Sequence, residues 1–170
     1  MPKLRMKRHA VTQPLDQPYR LIPLTRNQNA IVDKEDFDWL NQWNWYACWN
    51  VFTNSFYAVR REGKKVIHMT KQILGCKLKE MPDHKNHITL DNQRKNLRKC
   101  TKLQNNYNRR KPKSNTSGYI GVSYREDMKR WIARIGDIYL GTFTTAEEAA
   151  RARDEAAKKI HGEFAVLNFN

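Results

Sequence analysis

Residues 119–143 read YIGVSYREDMKRWIARIGDIYLGTF, three alternating apolar and polar runs parted by turn-forming text. The runs are YIGVSYRE (119–126), RWIARI (130–135) and IYLGTF (138–143), and the two-residue Gly136-Asp137 connection predicts a tight hairpin between the last two. With a side-chain period of two, Trp131, Ala133 and Ile135 share one face while Arg130 and Arg134 share the other. TTAEEAARARDEAAKKI follows at 144–160, with Thr144 as the expected cap, Glu147 completing a capping box, and Gly162 as the stop. Ala149, Ala152, Ala156 and Ile160 fall at helical spacing, and small residues let a helix lie close to a sheet. A three-stranded antiparallel sheet packed on one helix is expected, with one sheet face covered and the other open.

Upstream the text changes. LIPL (21–24) and AIV (30–32) read as short strands around the turn-prone Arg26-Asn27-Gln28-Asn29, and Asp33 stands as a helix cap before KEDFDWLNQW. Phe37, Leu40 and Trp43 would share one face of that helix. WYACWNVF (45–52) and SFYAVRRE (55–62) read as paired strands turning at Thr53-Asn54, with KKVIHM (64–69) as a third. The four Trp between positions 39 and 49 are expected as core filler, because few aliphatic residues lie nearby. The resulting division is a flexible basic arm at 1–20, an α+β domain at 21–110, a basic linker at 111–115 and the sheet-and-helix domain at 116–170.

Charge narrows the function. The 170 residues hold 32 Lys+Arg against 17 Asp+Glu, a formal charge of +15 and a pI of about 9.9, which suits a polyphosphate partner better than a small-molecule substrate. Residues 115–170 carry 8 basic and 8 acidic residues, so all the excess lies upstream. It peaks at 93–113, where Arg94, Lys95, Arg98, Lys99, Lys102, Arg109, Arg110, Lys111 and Lys113 occur without an acidic residue. Interleaved Gln, Asn and Tyr can bond phosphate oxygens, and each neutralised phosphate releases counterions. No stretch approaches the ~18 apolar residues of a membrane span. The N-terminus lacks a secretory core and cleavage site, so an intracellular protein is expected. Cys48, Cys76 and Cys100 are odd in number and lack C-x-x-C spacing, so they read as reduced thiols.

Residues 81–110, MPDHKNHITLDNQRKNLRKCTKLQNNYNRR, set an acid beside an imidazole within the basic field. Carboxylate and amide oxygens suit a hard divalent cation, and a neutral imidazole suits a general base. The pattern D-H-x-N-x-x-x-L-D-N-x-R-x-N-L-R-x-x-T-x-x-Q-N, from Asp83 to Asn105, resembles the HNH motif of phage and intron homing endonucleases, the ββα-metal fold. The resemblance implies Asp83 and Asn105 as metal ligands, His84 as general base, Asn96 as the residue orienting it, and one magnesium or manganese ion as cofactor. His87 stands where such relatives often carry Gly, and His68 matches a His common among them, with helix capping and phosphate contact as its two readings. Asp91, Asn92 and Arg94 belong to the loop.

Residues 116–169, through SGYIGVSY, RWIARI, YLGTFTTAEEAARARDEAA and HGEFAVLNF, resemble the Apetala-two/ethylene-response-factor DNA-binding domain of plants, which also occurs fused to HNH nucleases in phages. In that family the free sheet face enters the major groove, which implies base or phosphate contact by Ser123, Arg125, Arg130, Arg134 and Tyr139. Ile120 and Ser123 depart from the plant pattern, so the plant target sequence does not transfer. Together the two resemblances imply a metal-dependent DNA endonuclease of homing or phage type, acting in a bacterial or phage-infected cell. It would be a monomer or weak dimer, with Arg94, Arg98, Lys102, Arg109 and Arg110 on the phosphates and no small-molecule cofactor or membrane partner. The alternatives are a DNA-binding regulator without nuclease activity and a structured RNA-binding protein.

Overall fold

Turn chemistry and aromatic packing set the first half of the chain. The computed structural model describes residues 8–109, 111 and 114–169, and the protein folds as two compact units, Met1–Thr101 and Lys102–Asn170. In the first, β1 (Tyr19–Pro23) and β2 (Asn29–Asp33) pair antiparallel. Their connection has Arg26 and Asn27 at φ 57° and 54°, closed by the Leu24 N–H donating to the Gln28 carbonyl at 2.8 Å. Helix α1 (Lys34–Asn41) follows from Asp33, although that carboxylate does not cap it and instead accepts from the Arg94 N–H at 2.7 Å. Strands β3 (Tyr46–Asn50), β4 (Ser55–Glu62) and β5 (Lys65–His68) form a sheet in the order β3-β4-β5, then α2 (Met69–Leu74). A hairpin of β6 (Met81–His84) and β7 (Leu97–Cys100) closes the unit.

The core of this unit is Ile22, Leu24, Val32, Leu40, Trp45 and Met69, with Phe37, Trp39 and Trp43 packed against it. Trp39, Trp43 and Trp45 meet edge to face at 5.8 and 6.4 Å, and the Trp45 indole donates to the Leu40 carbonyl at 2.7 Å. Trp49 departs from the core-filler expectation at 40 % exposure. Residues 8–20 also depart from the expected flexible arm. The Gln13 side chain imitates a strand neighbour, donating to the Leu21 carbonyl at 2.8 Å and accepting its N–H at 2.9 Å, while Arg8 donates to the Trp43 carbonyl at 3.1 Å. Residues 1–7 of that arm lie outside the described residues.

The second unit opens with α3 (Lys102–Tyr107), upstream of the boundary expected at 110. Strands β8 (Val122–Arg125), β9 (Arg130–Ile135) and β10 (Ile138–Phe143) then form the expected antiparallel sheet with β9 central. Helix α4 (Ala146–His161) and a 3-10 turn (Gly162–Phe164) complete it. Val122, Ala133, Ala149 and Ala150 form the buried seam, with Trp131, Leu140 and Phe143 packed on it.

Two details correct the sequence reading. The cap is Thr145, not Thr144: its hydroxyl accepts from the Glu148 N–H at 3.2 Å, and Glu148 reaches back to the Thr145 N–H at 3.2 Å. The inward stripe is Ala149, Ala150, Arg153, Asp154 and Ala157, rotated from the one expected, and Ile160 is 46 % exposed. Because a capping oxygen satisfies a helix N–H that otherwise has no partner, Thr145→Ala should cost ~1 kcal/mol, read as loss of hydrogen-exchange protection in α4. Thr144→Ala should cost less.

Candidate nucleic-acid interface

Alternation along β9 decides which side chains can meet a partner. Trp131 and Ala133 pack on the α4 side, and alternation places Arg130, Ile132 and Arg134 on the opposite face, where Ile132 is itself buried between two exposed arginines. Register extends that face to both neighbours: Arg125 lies opposite Arg130, Ser123 opposite Ile132, and Thr142 opposite Ile132 from the other side. An irregularity in β10 between Tyr139 and Gly141 places Tyr139 opposite Arg134 and Gly141 opposite Ala133. The extra residue is Leu140, which packs on the core, so the bulge keeps Tyr139 on the open face. All five expected contact residues of this unit, Ser123, Arg125, Arg130, Arg134 and Tyr139, therefore share one exposed surface. Thr142 joins them and was missed, because locating it requires counting through the bulge.

The electrostatics of that face differ from those of the unit as a whole. The three strands contain Arg125, Arg130 and Arg134 and no acidic residue, so the zero net charge of residues 115–170 is split between a positive sheet and a negative remainder. The Arg134 guanidinium lies 5.9 Å from the Tyr139 ring centroid, and Arg125 forms an exposed ion pair with Asp127 at 2.7 Å. Such a pair contributes little in water and is exchangeable for a phosphate. Among the described residues neither Arg130 nor Arg134 has a carboxylate partner.

The residues expected to carry chemistry have other partners. Asp83, on β6, is buried and accepts from Arg98 Nε at 2.8 Å. Its neighbour His84, also buried, has Nε2 3.2 Å from Asn92 Oδ1. The Asn92 amide nitrogen faces Leu90 O and Met69 Sδ, so its oxygen accepts and the imidazole Nε2 donates. Burial holds the His84 pKa below its ordinary value, partly opposed by the Asn92 hydrogen bond and the charges of Asp83 and Asp91, so the ring is neutral at pH 7. The Asn96 side chain bonds backbone groups of the loop. Its Oδ1 accepts from the Asn86 N–H at 3.0 Å and its Nδ2 donates to the Asp91 carbonyl at 2.7 Å.

These bonds build the irregular stretch 85–96. Asn86 donates to Asp91 Oδ2 at 2.9 Å, and the Ile31 N–H to Leu90 O and Asn92 N–H to Ile31 O contacts, at 2.8 and 2.7 Å, dock the stretch along β2. A loop without a ladder must find partners for its own N–H and C=O groups, and Asp and Asn supply them. His87 occupies the left-handed region at φ 61°, where a glycine would sit without cost. His68 stands at the N-cap of α2, but its ring makes no cap bond and lies edge-on to Tyr57 at 6.2 Å.

Arg94 and Arg98, expected on the phosphates, each hold a carboxylate within the first unit. Arg94 grips the buried Asp36 through Nε and NH2 at 2.7 and 2.8 Å, and Arg98 pairs with Asp83. Burial alone would raise the Asp36 pKa, but the bonds from Arg94 and Trp39 and the Arg94 charge leave it below its ordinary value. Asn105 lies on α3, in the second unit, and Lys102 and Arg109 are exposed there. Arg110 falls outside the described residues.

The second unit is thus a three-stranded antiparallel sheet on one helix, with a cationic open face. About a third of the chain is similar, at about 50% identity, to AP2-type DNA-binding proteins. "APETALA2-like protein 2" of Oryza sativa subsp. indica is 47% identical over 66 residues, 36% of this chain and 15% of that protein. From Arabidopsis thaliana, "AP2-like ethylene-responsive transcription factor AIL5" is 52% identical over 60 residues, 32% of this chain and 11% of its own length. "AP2-like ethylene-responsive transcription factor ANT" is 52% identical over 58 residues, 31% and 10% respectively. The chain thus spans no more than 15% of the length of these relatives. No family model matches the chain, and no solved structure does.

These findings overturn the nuclease reading. AIL5 and ANT are named as transcription factors, not hydrolases, and these relatives come from plants, not phages or bacteria. The expected magnesium or manganese ion is corrected with it. Among the described residues no group of three or more His, Cys, Asp or Glu side chains is placed to hold an ion. Within 85–96 the side chains of Asn86, Asp91, Asn92 and Asn96 bond the loop's own backbone, the use to which these residue types are put here.

Proposed function

We propose that the chain is a sequence-specific DNA-binding regulator acting inside the cell on double-stranded DNA. The open face of β8–β10 enters the major groove, where Arg130 and Arg134 read base edges as bidentate donors, with Ser123, Arg125 and Tyr139 on bases or adjacent phosphates. The observation that carries this reading is the confinement of three arginines, without a carboxylate, to the strands of one exposed sheet face. The AP2-type relatives named as transcription factors support it. Lys102, Arg109 and Arg110 add phosphate contacts, and the surplus charge upstream supplies sequence-independent attraction. A sheet face fits a B-form major groove and not the deep, narrow one of A-form RNA.

The test is selection of duplexes from a random pool by the full chain, followed by titration of the winner. Arg130→Ala with Arg134→Ala should weaken binding to the selected duplex by roughly tenfold to a hundredfold and reduce discrimination against unrelated DNA. Lys102→Ala with Arg109→Ala should weaken both equally and flatten the salt dependence. Selected-duplex affinity unchanged in the Arg130/Arg134 variant would sink the proposal.

A further inference from the structure

Residues 69–79, MTKQILGCKLK, contain three lysines and no acidic residue, and they end in a turn that holds an unprotected leucine out to solvent. Leu78 is 101 % exposed, flanked by exposed Lys77 and Lys79, with exposed Lys71 on the preceding helix. Among the described residues none of these three lysines is in an ion pair.

The turn is built to keep that shape. Gly75 ends α2 in the left-handed conformation at φ 57°, and the Cys76 N–H returns to the Lys71 carbonyl at 3.2 Å. Glu80 then closes residues 77–80 from both sides: its carboxylate accepts the Lys77 N–H at 2.7 Å and its own N–H donates to the Lys77 carbonyl at 3.0 Å. Lys99 on β7 anchors it, with Nζ 3.1 Å from Glu80 and 3.4 Å from the Gly75 carbonyl. These bonds close the turn with the apolar side chain at its apex.

An apolar side chain held between cations matches the wedges that minor-groove binders insert between base steps, the lysines meeting the phosphates on either side. Charge favours a polyanion, since residues 1–101 carry 19 Lys+Arg against 9 Asp+Glu. We propose that the turn at 77–80 is a second DNA contact, in which Leu78 inserts from the minor groove and bends the duplex while Lys71, Lys77 and Lys79 neutralise its phosphates. This rests on the DNA-binding reading above but uses a different unit and different residues.

The full chain, Leu78→Ala and Lys77→Ala/Lys79→Ala are compared on a short end-labelled duplex, reading affinity against salt and end-to-end distance by energy transfer. The lysine variant should lower the slope of log affinity against log salt by about two. Leu78→Ala should keep the slope and lose a bend of ~20° or more. Equal slopes and bends for all three proteins, on a duplex the wild type binds, overturn the second contact and leave the sheet-face reading intact. No duplex binding by the wild type overturns both. Association with phosphatidylserine vesicles that both variants lose, with duplex binding unchanged, overturns the proposal in favour of a lipid surface.

Discussion

Asp154→Ala is expected to destabilise the second unit by about 3–5 kcal/mol, because it strips the partner from a buried guanidinium and cuts the chain end loose. Asp154 and Arg153 are 6 % and 5 % exposed and 3.2 Å apart. Asp154 also accepts the Asn168 and Phe169 N–H groups at 2.6 and 3.0 Å and the Asn168 side chain at 3.0 Å. Asn168 in turn accepts the Ile120 N–H at 2.7 Å, and Phe169 lies beside Tyr119 with ring centroids 5.4 Å apart. One carboxylate thus ties α4, the strand entry at Ile120 and the C-terminal residues together. Arg153 makes the loss worse, since among the described residues its Nε lacks a partner in the buried site and its head bonds Asp154 and the Val166 carbonyl alone. Hydrogen exchange of the α4 amides measures the effect, and a change below ~1 kcal/mol would contradict it. Replacing both residues by apolar ones, Arg153→Met with Asp154→Leu, should recover only the part due to the stranded guanidinium, because the Asn168 and Phe169 N–H groups still lose their acceptor.

The architecture of this second unit was legible from periodicity, and the errors within it have local causes. Thr144-x-x-Glu147 and Thr145-x-x-Glu148 both satisfy the capping pattern, so the sequence alone does not choose between them. The choice is made by packing: starting the helix at Ala146 turns Ala149, Ala150 and Ala157 inward, and it buries Arg153 and Asp154, which no hydrophobic count would place in a core. The open face was readable because Arg130 and Arg134 alternate with Trp131, Ala133 and Ile135, whereas Thr142 was hidden by the bulge. In the first unit the strands and α1 follow from their text, but the function of 83–96 did not. A loop that must satisfy itself and a site that must hold an ion draw on the same side chains, and only the bonds of Asp83 to Arg98, His84 to Asn92 and Asn96 to the 86–91 backbone separate the two.

Gly121→Ala is expected to cost about 2–4 kcal/mol and to impair DNA binding by whatever fraction stays folded. Gly121 lies at φ 73°, where an L side chain is strained, and a β-carbon there would collide with the Arg134 backbone carbonyl and approach Arg153 Cγ at 3.0 Å. Neither neighbour can yield. The Arg134 N–H donates to the Gly121 carbonyl at 2.8 Å, so the two backbones are already locked, and the Arg153 guanidinium is bonded to Asp154. Relief therefore has to come from shifting β9 at the residue that presents Arg134 to the groove. Gly136→Ala is the matching control: it has similar φ, 56°, with nothing within 4 Å of the added carbon, so only the conformational cost of ~1 kcal/mol should appear. Measured at a temperature where both variants remain folded by circular dichroism, Gly121→Ala should lose selected-duplex affinity and Gly136→Ala should keep it. Equal affinities would mean that β9 tolerates the displacement, and that the position of Arg134 is not what the glycine protects.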